Sequence, residues 1–353
     1  MDGTRVRAPR DGARAAMMGL LLAFGGGSAW AQTREEVRIA SAPGVTLAGT
    51  LHLPARGSRH PLVVVVQGNG RNARGGYGEI IKRLNADGIA ALEYDKRGVG
   101  QSTGTYEEDV PKLVADCAAA VAAMRARGDI DGSRIALFGH SQGGVVTPAV
   151  AVGDPRIAAV VMAGGSVGDG LPYLKRAIRN QMLAAGRPAP MVGPAVEAVG
   201  ALLQARIDKR EDAAIVPLRA AVVERFLAAG FTQAEANGGL AMIDTPQAWQ
   251  IDKLRAGSDL KALRIPVLAI FGSRDPLVVA SDEAPAATAA LAGNPRARVV
   301  VLQGLSHWFQ EGAVTGNAEE VERLGPNMGS PRVVTLVGDF VRDAVSPMRA
   351  ASR

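Results

Sequence analysis

The chain has 353 residues, 47% hydrophobic and 21% charged, and a net charge of +6. That balance excludes a disordered chain and fits either one elaborated α/β domain or two smaller ones. A single cysteine excludes a disulfide framework, an iron–sulfur cluster and a multi-cysteine zinc site; four histidines leave little for a metal centre, and 4% aromatics argue against base stacking on nucleic acid.

The first 31 residues read as a removable leader. Arg5, Arg7, Arg10 and Arg14 precede an apolar run of ten residues at 15–24, and small residues lead to Ala29-Trp30-Ala31. A basic segment, a short apolar segment and an A-x-A site define an export signal, with cleavage expected after Ala31. Ten residues fall well short of the roughly 20 that span a bilayer, so no stable membrane insertion is expected after cleavage. The remaining 322 residues carry +4, with Lys and Arg scattered and not striped. No nucleic-acid partner is expected from that distribution. The expected location is periplasmic or secreted.

Val37-Arg38-Ile39-Ala40 and the alternating Val45, Leu47, Leu51 and Leu53 flank Pro43-Gly44, which predicts a hairpin. Pro61-Leu62-Val63-Val64-Val65-Val66 is continuously apolar, as suits a strand buried on both faces. A helix is expected through Ile80-Ile81-Lys82-Arg83-Leu84. Strands follow at 88–94, 134–138 and 157–163, with a long helix over 110–127 that places Cys117 in the core. Strands at 266–271 and 298–302 complete the set. Strands alternating with helices predict a doubly wound, mostly parallel β-sheet. Between 169 and 263 the strand signal vanishes and helix formers dominate. This stretch reads as a helical lid inserted into a core of 32–168 and 264–353.

Gly139-His140-Ser141-Gln142-Gly143 follows a strand and opens a helix. A serine on such a tight turn holds its hydroxyl exposed, above helix N–H groups that suit a developing anion. Serine needs a base, and only His307 lies C-terminal to it, just after the last strand. The acid is expected after the penultimate strand, at Asp275 in Arg274-Asp275-Pro276, with Asp282 as the runner-up. One oxyanion donor is expected to be the backbone N–H of Gln142, and the other that of Asn69 in Gln67-Gly68-Asn69-Gly70.

These residues together resemble the α/β-hydrolase superfamily. Within it the chain is similar to exported bacterial hydrolases of the dienelactone hydrolase and serine-aminopeptidase-like group. The resemblance runs over about 35–345. It is carried by Tyr94-Asp95-Lys96-Arg97-Gly98-Val99-Gly100-Gln101-Ser102, by 139–144, by 266–275 and by 305–310. Gln67 departs from it, since many relatives place His before the oxyanion glycine. The resemblance gives Asp95 and Arg97 the task of pinning their loop.

A Ser nucleophile, a His base and an oxyanion hole carry acyl transfer to water. The expected substrate is a small acyl compound, foremost a carboxylic ester. Peptides, amides and thioesters are alternatives on the same residues, and a non-catalytic ligand receptor is a different class that has no need of all three. No metal and no cofactor are implied, and the oligomeric state is left open. Trp308, Met242 and Trp249 are candidate substrate contacts, with Tyr173, Met182, Leu183, Met191, Phe226 and Phe231 as further apolar candidates for an acyl pocket in the insertion.

Overall fold

The structure is a computed structural model and describes residues 33–346, apart from 247 and 326–327. The predicted leader and its cleavage site lie outside the described residues.

The hairpin forms as expected. Strand β1 (Thr33–Ala42) pairs antiparallel with β2 (Val45–Leu53) across Gly44, whose φ of +75° suits glycine. Strand β3 (His60–Val66) leads through helix α1 (Gly78–Ala86) to β4 (Ala90–Tyr94). Helix α2 (Val110–Arg125) then leads to β5 (Ile130–His140). Asp109 caps α2 by accepting the Lys112 N–H, and Pro111 sits in the first turn where no N–H is missed. Helix α3 (Gly143–Gly153) and β6 (Ile157–Ala163) follow.

Among the described residues the sheet is open and has eight strands in the order β1-β2-β4-β3-β5-β6-β7-β8, where β7 is Val267–Gly272 and β8 is Ala297–Leu302. All pairings from β4 to β8 are parallel. Strand β5 begins four residues earlier than its apolar run predicts. Ile130 is fully buried and pairs with His60 across a bulge, and this extends the strand through polar Asp131 and Ser133.

The unbroken apolar run of β3 is explained by period two. Leu62, Val64 and Val66 enter one core, while Val63 and Val65 enter the other. Helices α2 and α3 cover the first face, together with α8 (Ala256–Ala262) and α9 (Ala280–Leu291). A short helix, α10 (Ala318–Arg323), precedes the C-terminal helix α11 (Pro331–Val345), and α11 and α1 cover the second face. Each valine of β3 that is removed from water contributes about 1.5–3 kcal/mol.

The stretch at 169–263 is helical: α4 (Gly170–Ala184), α5 (Ala189–Ile207), α6 (Asp212–Ala228) and α7 (Gln233–Ile243), then a short 3₁₀ turn (Ala248–Lys253) and α8. It has its own core, in which Val199, Leu202, Leu203 and Val222 are fully buried. Two contacts fasten it to α9. Arg176 pairs with the buried Glu283 at 2.7 Å, and Asn180 donates to Asp282 at 2.8 Å.

Candidate active site

Ser141 sits between β5 and α3 with φ of +55°, a left-handed conformation rare for a side-chain-bearing residue. Crowding around it explains the flanking glycines. A Cβ on Gly139 would stand 2.1 Å from the Gly143 carbonyl oxygen, and one on Gly143 would stand 2.1 Å from the Val66 carbonyl oxygen. The Ser141 N–H donates to the Ala163 carbonyl at 2.9 Å and so ties the turn to β6.

The loops at the carboxyl ends of β7 and β8 bring two further groups to this serine. His307 Nε2 lies 2.9 Å from Ser141 Oγ, and His307 Nδ1 lies 2.6 Å from Asp275 Oδ2. A carboxylate only accepts, so Nδ1 carries the ring proton and Nε2 offers its lone pair to the serine hydroxyl. The other oxygen of Asp275 accepts the N–H groups of Leu277 and Val278, each at 2.8 Å. The Asp275 side chain is fully enclosed and His307 nearly so. The three residues named from chain order therefore meet in one hydrogen-bonded line. Asp282 stands apart on α9, where it accepts from Asn180.

His140 is not bonded to the serine hydroxyl and supports the backbone of His307 instead. Its Nε2–H donates to the His307 carbonyl at 3.0 Å, and the Tyr77 hydroxyl donates to its Nδ1 at 3.3 Å. Burial, then the neighbouring His307, push the His140 pKa down to about 3. The ring is neutral across ordinary pH. Unfolding restores the usual value of 6.5, so the unfolded chain binds a proton that the folded chain refuses. The contribution of this site to stability is complete above pH 6.5 and is lost as pH falls from 6.5 toward 3. His140→Gln should flatten the fall of Tm with pH across that window; an unchanged slope would contradict the assignment.

The loop after β3 supplies the second side of the site. Asn72 donates to the carbonyls of Gly68 and Asn69 at 2.9 and 2.7 Å, and the Gly70 N–H is held by Glu108 at 2.9 Å. The backbone N–H groups of Asn69 and Gln142 have no protein acceptor among the described residues. Asp95 accepts the N–H groups of Arg74 and Gln101, and Arg97 forks onto Asp116 with two contacts of 2.7 Å. Both act as pins of their loops. Cys117 is buried in the core, and burial pushes its thiol up to about 12.

A cavity of about 400 Å³ opens over Ser141. Its walls are the loop at 67–77, His140, Leu277, His307 and Trp308. Trp308 is half-buried and sets its ring edge-to-face with His307 at 5.0 Å. Met242 and Trp249 do not reach this cavity, contrary to expectation. Met242 is 78% exposed, and Trp249 donates to Asp244 beneath the Arg206 guanidinium. Met182 and Phe226 pack inside the insertion, Phe231 stacks on Phe226, and Leu183 and Met191 face outward. Tyr173 bonds Ser166. The reason is that the insertion's described apolar residues pack mainly into its own core and partly against Val145, and none of its described residues lines the cavity. Tyr77, Asn72 and Leu277 were not expected there; only their proximity to the oxyanion loop or to Asp275 in sequence marks them.

An open, mostly parallel sheet with a serine on the turn after β5 and a histidine after its last strand defines an α/β hydrolase. Residues 57–234 match the family model described as serine aminopeptidase, S33, and the chain belongs to that family. It is 31% identical over 131 residues to a polyketide transferase, ATR5, of Stachybotrys chlorohalonatus, covering 36% of this chain and 43% of that one. It is 33% identical over 113 residues to the quorum-quenching protein AidA of Acinetobacter baumannii, covering 31% and 37%. The chain thus matches less than half the length of these curated relatives. In fold it is similar to the esterase Pf2001 of Pyrococcus furiosus, with 15% identity, 90% and 95% coverage and a TM-score of 0.53.

Proposed function

We propose that this hydrolase cleaves carboxylic esters of small acyl compounds through an acyl-enzyme on Ser141. The observation that carries the reading is the continuous line from Ser141 Oγ to His307 to Asp275 at 2.9 and 2.6 Å. In the first step Ser141 Oγ attacks the ester carbonyl carbon while His307 Nε2 takes its proton. The negative charge gathers on the former carbonyl oxygen, toward the N–H groups of Gln142 and Asn69. His307 then returns the proton to the departing alkoxide. A water, deprotonated by the same nitrogen, releases the acid.

The family name points to peptides, and one feature of the cavity weighs against an aminopeptidase. Such an enzyme must hold the substrate's terminal ammonium. Among the described lining residues there is no carboxylate, and Asp275 behind His307 is enclosed and fully engaged. Asn69, Asn72 and Gln67 mix with Tyr77, Leu277 and Trp308 around the site. A cavity of this size and mixed polarity suits a short acyl group.

The test is a series of p-nitrophenyl esters from acetate to dodecanoate. The expected kcat/KM is highest at acetate or butyrate and falls steadily beyond. A maximum at dodecanoate would contradict the short acyl site, and a folded protein with no turnover on any ester would remove the ester reading.

A further inference from the structure

Resting on the reading of Ser141 as nucleophile, we propose that Lys96 and Glu108 are positioning residues that hold the two sides of the oxyanion hole in register. The two expected donors sit on different loops. Asn69 belongs to the loop after β3 and Gln142 to the turn after β5, and they share no strand or helix. Something must fix their separation, because an oxyanion is stabilised only by donors placed within a few tenths of an ångström.

The segment at 96–108, after β4, reaches both. Lys96 Nζ donates to the side-chain Oε1 of Gln142 at 2.9 Å. The same ammonium lies 3.5 Å from Glu108 Oε1. That carboxylate oxygen accepts the N–H of Gly70, the residue after Asn69, at 2.9 Å, and also accepts the Tyr106 hydroxyl. The path from one donor residue to the other is therefore Asn69-Gly70, Glu108, Lys96, Gln142. The Tyr106 end is closed by Arg71, whose guanidinium lies over the Tyr106 ring at 4.7 Å and donates to the Gly98 carbonyl at 3.0 Å.

Two further facts fit this task better than a surface ion pair. The Lys96 side chain is only 5% exposed, and Glu108 is half-buried, so the pair is little screened by water. Neither residue lines the cavity, so neither touches substrate. Burial holds the Lys96 ammonium below its ordinary pKa against the pull of Glu108. The buried ammonium has three donors, and two of them serve the two acceptors it spans, Gln142 Oε1 and Glu108 Oε1.

The test compares Lys96→Met, which keeps the stem and deletes the donor, with Gln142→Ala, which deletes the acceptor and leaves the backbone N–H. Gln142 is half-exposed, so its variant folds even if the lysine variant does not. Each variant should lower kcat about tenfold or more with KM within about twofold, since the contact matters only once charge develops. Binding of a trifluoromethyl ketone, which forms an oxyanion on Ser141, should weaken by the same factor. Glu108→Gln, which keeps an acceptor for Gly70, should restore most of the activity that Glu108→Ala loses.

A rise in KM at constant kcat, or unchanged kcat in Gln142→Ala, overturns the positioning role. So does a loss of activity that tracks only a fall in Tm. Labelling of Ser141 by a fluorophosphonate separates this from the underlying reading. A wild type that labels while the variants label equally fast overturns only the positioning role. A folded wild type that does not label overturns the nucleophile and the proposal with it.

Discussion

Ser141→Ala is expected to lower kcat/KM for p-nitrophenyl butyrate by at least about 10⁴-fold while the protein stays folded. The hydroxyl is the only atom removed, and its one side-chain bond is to His307 Nε2. The backbone that shapes the turn is held by the Ser141 N–H on Ala163 and by close packing around Gly139 and Gly143. Alanine keeps all of these contacts. A change in Tm of no more than about 1.5 °C is therefore expected, corresponding to about 1 kcal/mol in a chain of this size. Turnover that persists in the variant would move the nucleophile elsewhere. A collapse of Tm would show that the activity loss reports on folding.

Asp275→Asn is the second large effect. Asparagine has the same shape, and its oxygen can still accept the N–H groups of Leu277 and Val278. Its amide nitrogen then faces His307 Nδ1. Two donors cannot share one bond, so Nδ1 must become an acceptor and the ring proton must move to Nε2. That nitrogen is the one 2.9 Å from Ser141 Oγ, and once protonated it cannot act as a base. The expected loss in kcat is about 10⁴-fold with little change in KM, read by steady-state kinetics at neutral pH. A loss of tenfold or less would mean that Asp275 only anchors its loop. Substitution of Asp282 should be nearly silent in activity, because its contact is to Asn180 in the insertion.

Much of the hydrolase core was legible because its signals are local and strong. The apolar run at 62–66 can be buried on both faces only in an interior strand, and alternating burial in two cores accounts for each position. The order Ser141, Asp275, His307 was legible because each residue sits at the end of a readable strand. Sheet topology then carries those ends to one edge. The C-terminal helix α11 carried a signal that motif reading passes over: Pro331 at its start and Val333, Val337 and Val341 at one-turn spacing.

The walls of the site were less legible. Apolar residues of the insertion are as suited to a pocket as to a core, and composition does not distinguish the two. Met242 and Trp249 illustrate this, since one faces outward and the other is held by Asp244 and Arg206. The supporting contacts of the site are also non-local. His140 reaches the His307 carbonyl, and Lys96 reaches Gln142 46 residues away. No spacing in the chain announces such pairs.

The proposed reaction requires that Ser141 becomes acylated during turnover. Acid quenching of the enzyme with p-nitrophenyl butyrate, followed by peptide mapping by mass spectrometry, tests it directly. A butyryl group is expected on the peptide bearing Ser141, formed in step with the burst of p-nitrophenol and absent from Ser141→Ala. Ester turnover with no adduct, or with the acyl group on another residue, would contradict it.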